Sequence, residues 1–103
     1  MKRPLDGQIA LVAGATRAAG RGIAIELGLA GAKVYCTGRS ARGAPATPGR
    51  PETIEETAEL IAAADGAAVA IRVDHQVDGL AFHQLHRLLA QEAGEQKFVD
   101  AFG

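Results

Sequence analysis

Between Gln8 and Gly14 the chain reads QIALVAG, apolar at almost every position and without alternation. A strand covered on both faces has this pattern, because neither face has to present polar groups to water. From about Ala19 to Ala30 the period becomes helical, with Ile23, Leu27 and Ala30 on one stripe and Gly31 placed to end it. KVYCTG, 33–38, returns to strand. RSARGAPATPGRP, 39–51, follows as loop and holds three of the four prolines. Thr53 with Glu56 three positions on forms a capping-box pattern, which opens a helix over 54–64 with Ile54, Ala58 and Ile61 on one face. Asp65-Gly66 then turns the chain into a third strand, AAVAIRV, 67–73. A last helix is predicted over 77–93, with Ala81, Leu85, Leu88 and Leu89 facing inward and Gly94 as its stop.

The order β-α-β-α-β-α predicts right-handed crossovers and a doubly wound parallel sheet of the α/β class. The closing residues, EQKFVDAFG, fit that pattern least. Phe98, Val99, Ala101 and Phe102 have strand character, but Asp100 would carry a carboxylate into a central strand at a desolvation cost. The expected organisation is one folded unit over 1–93 and a poorly defined tail over 94–103.

Composition narrows the class. Hydrophobic residues make up 48% of the 103 positions, but only four are aromatic, so the core must be aliphatic. No apolar run approaches the roughly 18 residues of a membrane span, and no leader pattern opens the chain. The single cysteine, Cys36, excludes an intrachain disulfide and suits a reducing, cytoplasmic setting. Lying within a strand, it reads as a small buried hydrophobe rather than a nucleophile. His83 and His86 stand three apart on the last helix without a carboxylate pair nearby in sequence, so they read as solvated residues rather than metal ligands.

Charge changes the picture more. Residues 17–50 hold six basic residues and one acid, whereas residues 51–103 hold ten acids and three bases. A basic first half suits an anionic ligand. Nucleic acid is excluded as that ligand, because the arginines are neither contiguous nor interleaved with aromatics. The candidate anion site is the turn after the first strand, where Gly14, Thr16, Arg17, Ala18, Ala19 and Gly20 lead into the first helix. A strand that stops at glycine and restarts as a helix aims free backbone N–H groups and the positive end of a helix dipole at one point, which suits a phosphate.

The stretch AGATRAAG, Ala13 to Gly20, resembles the short-chain dehydrogenase/reductase family, whose first turn reads T-G-x-x-x-G-x-G. Two positions depart from it: Ala13 replaces threonine and Ala18 replaces the middle glycine. If Ala18 must hold a positive φ, it costs roughly 1–2 kcal/mol; within the helix's first turn it would be harmless. The resemblance implies a partial Rossmann-like dinucleotide-binding fold. Where NAD-using members carry an acid after the second strand, this chain has Gly38-Arg39-Ser40. With Arg17 in the turn, that implies NADP(H) as the cofactor, its extra phosphate taken by guanidinium groups. Asp74, ending the third strand, resembles the family's adenine-contacting aspartate, and His75 the residue beside it; Asp74 can equally cap the following helix.

The family's reaction moves hydride between nicotinamide and a carbonyl or alcohol, using a serine, a tyrosine and a lysine four residues after it. The one tyrosine here, Tyr35, is followed four positions on by Arg39, so no catalytic residue is assigned. The resemblance therefore implies the cofactor-binding part alone, truncated before the active site and inactive in isolation. Lacking a fourth strand, its first strand would be an open edge, ready for homo- or hetero-association. The alternative reading is a non-catalytic nucleotide-binding or interaction module that pairs through that edge.

Overall fold

The computed structural model describes residues 3–41, 43, 52–74, 79–94 and 97–102. Its elements are β1 (Ile9–Ala13), α1 (Ala18–Leu29), β2 (Lys33–Gly38), α2 (Ile54–Ala63), β3 (Ala67–Arg72), α3 (Gly79–Ala93) and β4 (Phe98–Phe102). All strand pairs are parallel and the sheet order is β3-β2-β1-β4. The expected α/β class holds. Most of the predicted 39–51 loop, the first residues of the predicted last helix and His75 lie outside the described residues.

Register sorts the side chains into two layers. Val12 pairs with Cys36 on one side and Ala101 on the other, and this face joins Ala24 of α1 and Ile61 of α2 in the aliphatic core. The opposite face carries Leu11 in register with Tyr35 and Asp100, and α3 packs there against β1 and β4. Helices on both faces explain why the strand segments read as unbroken apolar runs.

Thr53 caps α2 as its sequence suggests, its hydroxyl accepting from the Glu56 N–H at 3.2 Å. The return half of the capping box is replaced: the Glu56 carboxylate turns to Arg21 instead. Asp65 holds a φ of 66°, a left-handed value that aspartate tolerates, as the chain turns toward β3.

Several expectations need correction. The inward face of α1 is Gly20, Ala24 and Gly28, not a stripe led by Ile23, which is 36% exposed. The helix lies so close to its neighbours that a Cβ on Gly28 would stand 2.6 Å from Ile61 Cγ2, so only the smallest residues fit. On α3, Leu89 is buried while Leu88 is 63% exposed, because the helix meets the sheet along a narrower line than the pattern implied. Most consequentially, the tail is not frayed. Residues 98–102 form β4, which pairs along all of β1, from Ile9↔Phe98 to Ala13↔Phe102.

Asp100 is compatible with β4 because β4 is an edge strand. Its carboxylate stays 44% exposed, and Oδ2 lies 2.7 Å from His86 Nε2, whose ring meets Phe98 edge-on at 5.1 Å. His86 is therefore a bonded link between α3 and β4 rather than a solvated residue. The open edge expected at β1 is covered; among the described strands the outer ones are β3 and β4.

Cys36 is fully buried, and burial pushes its thiol from the ordinary 9.0 up to about 11. The unfolded chain ionises near the ordinary value and the folded chain does not. Stability from this group is therefore intact below pH 9 and is lost as pH rises toward 11. Denaturant titrations of wild type and Cys36→Ala at pH 8 and pH 11 should show the wild type losing on the order of 2 kcal/mol more than the variant.

Candidate functional site

A cleft of about 460 Å³ opens at the carboxyl ends of the strands. Its floor is the turn from Gly14 to Gly20, one wall is Gly38, Arg39 and Ser40 at the end of β2, and the far side is Val73 and Asp74 after β3. Parallel α/β sheets bind ligands at such strand ends, where neighbouring crossovers diverge. Here β1 is that strand, with β2 on one side and β4 on the other.

The turn is shaped by steric limits. Gly14 has a φ of 74°. A Cβ on Gly20 would collide with the Gly14 carbonyl, so the helix start can close onto the turn only with glycine at position 20. Ala18 has a φ of 52°, which resolves the two alternatives for this position: an L-residue sits where the family pattern has glycine. Arg17 occupies the N-cap position of α1 in extended conformation and makes no side-chain cap. The first-turn amides of a helix have no partners within it. At Ala18, Ala19 and Gly20 they therefore remain available to an anion in the cleft.

The β2 side fits closely against this turn. The Ala15 N–H donates to the Thr37 carbonyl at 2.9 Å. A Cβ on Gly38 would run into Thr16 Oγ1 and come within 2.8 Å of Ile54 Cγ2, so a side chain there would push the turn out of place. Arg17 Nη2 reaches Ser40 Oγ at 3.5 Å, the long limit of a hydrogen bond, while its Nε lies 3.6 Å from Glu52 Oε1. That Nε is buried without a hydrogen bond. The guanidinium thus lies in the cleft lining beside the first-turn amides of α1, with the Glu52 carboxylate as its ion-pair partner.

Of the predicted site residues, Gly14, Thr16, Arg17, Ala18, Ala19, Gly20, Arg39, Ser40 and Asp74 converge on this one cleft. His75 is outside the described residues. The sequence reading missed Gly38 as a site residue, although its place between a strand and an arginine was a signal. It also missed Arg21 and Thr57, which brace the turn from behind and carry no local signature. Thr57 Oγ1 donates to the Ala15 carbonyl at 2.7 Å, and Arg21 Nε donates to the Thr16 carbonyl at 2.9 Å.

Thirty-nine residues of the chain, 38% of it, are 56% identical to dehydrogenase/reductase SDR family member 1 of Homo sapiens, covering 12% of that protein. A dehydrogenase/reductase from Sinorhizobium meliloti 1021 superposes over 87% of this chain with a TM-score of 0.68 and 33% identity. The chain carries a short-chain dehydrogenase/reductase segment. A metagenomic short-chain oxidoreductase in complex with NADP superposes over 88% of it with a TM-score of 0.69 and 28% identity. No family model matches the chain. It spans 32% and 36% of the length of those two solved proteins. Among the described residues no helix is long and apolar enough to cross a membrane.

Within this short-chain dehydrogenase/reductase segment, position 18 offers a direct test of strain. Ala18→Gly should relieve the left-handed backbone and stabilise the fold by about 1 kcal/mol, read as a rise of roughly 4–8 °C in melting temperature. Gly20→Val should do the opposite, abolishing binding of any ligand at the turn, as followed by calorimetric titration, because its side chain meets the Gly14 carbonyl.

Proposed function

We propose that this chain is an NADP(H)-binding segment of a short-chain oxidoreductase and does not turn over substrate by itself. The observation that carries the reading is the β2 end of the cleft. Arg17, Arg39 and Ser40 line it together, and Gly38-Arg39-Ser40 offers no carboxylate to hold an unphosphorylated ribose. A dianionic 2′-phosphate is matched there by two guanidinium groups and a hydroxyl.

In this reading the amides of Ala18, Ala19 and Gly20 take the diphosphate, with Gly14 and Thr16 shaping the turn beneath it. Asp74 stands at the adenine end, and His75 follows it in sequence. NADP(H), when bound, supplies the hydride or accepts it. The complex of the metagenomic short-chain oxidoreductase with NADP supports this choice of cofactor.

The chain's own residues do not complete a reaction centre. Tyr35 is half-buried in β2 with Lys33 Nζ 5.4 Å from its ring centroid, and it does not line the cleft. Binding and orienting the dinucleotide is therefore the role assigned to this segment.

Fluorescence titration should find NADPH bound more tightly than NADH. Arg39→Asp should reverse that order, weakening NADPH by about tenfold or more through loss of one charged contact and gain of a repulsive one. An unchanged NADPH affinity in Arg39→Asp would remove the assignment. Carbonyl reduction by the isolated chain would overturn the claim of incompetence.

A further inference from the structure

Arg21 is a basic residue next to an anion turn that does not face the anion. It does not line the cleft. Its guanidinium makes four hydrogen bonds, all to protein. Nε donates to Thr16 O at 2.9 Å and Thr57 Oγ1 at 3.0 Å, Nη1 to Glu56 Oε1 at 2.6 Å, and Nη2 to Thr53 O at 3.3 Å. Only 18% of the side chain is exposed.

Two of the atoms held here control where amides point. A trans peptide is planar, so its C=O and the following N–H point in opposite directions. Drawing the Thr16 carbonyl back toward Arg21 turns the Arg17 N–H the other way. Thr57 Oγ1 does the same for the preceding peptide, since its bond to Ala15 O turns the Thr16 N–H away from α2. The Thr57 hydroxyl receives Arg21 Nε and donates to Ala15 O, so the two braces are one network.

The other arm reaches the opposite end of the cleft. Arg21 Nη2 holds the carbonyl of the Thr53–Ile54 peptide, and the N–H of that same peptide donates to Ser40 O at 3.0 Å. A single rigid plane thus connects Arg21 to the Arg39-Ser40 wall.

We propose that Arg21 is a positioning residue that sets the spacing between the diphosphate turn and the 2′-phosphate wall, and so controls discrimination between NADPH and NADH as well as affinity. This rests on the dinucleotide reading of the same cleft. A guanidinium suits this task because its planar fork holds Nε and Nη2 in fixed, divergent directions, whereas an ammonium brings all its donors to one point on a flexible stem.

The test compares wild type, Arg21→Met, Arg21→Lys and Thr57→Val by titration with NADPH and NADH, with amide hydrogen exchange on the free proteins. Arg21→Met should weaken NADPH by about tenfold or more and NADH less, narrowing the ratio between them. Arg21→Lys should keep the fold and recover part of the affinity without the ratio. Thr57→Val, which removes the hydroxyl between Arg21 Nε and Ala15 O but leaves the Arg21 Nη2 link to the Thr53–Ile54 peptide in place, should weaken both nucleotides alike. Exchange at the Ile54 amide should accelerate in Arg21→Met while Leu11 and Val12 in β1 stay protected, which separates a local loosening from general destabilisation. If Arg21→Met does not fold, Arg21→Lys and Thr57→Val carry the same comparison. Wild-type affinity and wild-type ratio in the arginine variants would overturn this inference alone. A wild-type chain that binds neither nucleotide would overturn the cofactor reading, and this inference with it.

Discussion

The contact on which the rest depends is the approach of Gly20 to the Gly14 carbonyl. It lets α1 begin directly above the end of β1 instead of standing off by the thickness of a side chain. Once that distance is fixed, the rest of the helix must also be small where it faces inward, which is why Ala24 and Gly28 continue the line. The turn then sits low enough for Thr57 to reach Ala15 O and for Arg21 to reach Thr16 O. A cleft floored by amides follows from one missing Cβ.

Charge is arranged around that cleft in two shells with different tasks. Arg17 and Arg39 line it. Arg21 stands behind it and acts on the backbone. The excess of basic residues over 17–50 therefore mixes residues that line the cleft with one that braces its turn. Separating them needs the fold, because three of the four partners of Arg21 come from α2 and its N-cap, more than thirty positions away in sequence.

The same limit explains which parts of the architecture were legible. Strands β1, β2 and β3 follow from unbroken apolar runs, and α2 from Thr53 and Glu56, because in each case the signal lies within one turn or one strand. Residues 98–102 were harder, since the acceptability of Asp100 depends on β4 lying at an edge and on His86 arriving from α3. The α1 stripe was misread for a related reason: hydrophobicity marks large residues as inward, whereas close packing selects small ones. At Ala18 the sequence left two alternatives open, and the backbone angle decided between them.

The glycine content of α1 ties its order to its packing. Three of its twelve residues are glycine, each disfavouring helix by about 1 kcal/mol relative to alanine. Such a segment has little tendency to coil in isolation, because nucleating a helix is already unfavourable. Its helical form therefore rests on packing against the strands, and the turn it closes is no better ordered than that contact.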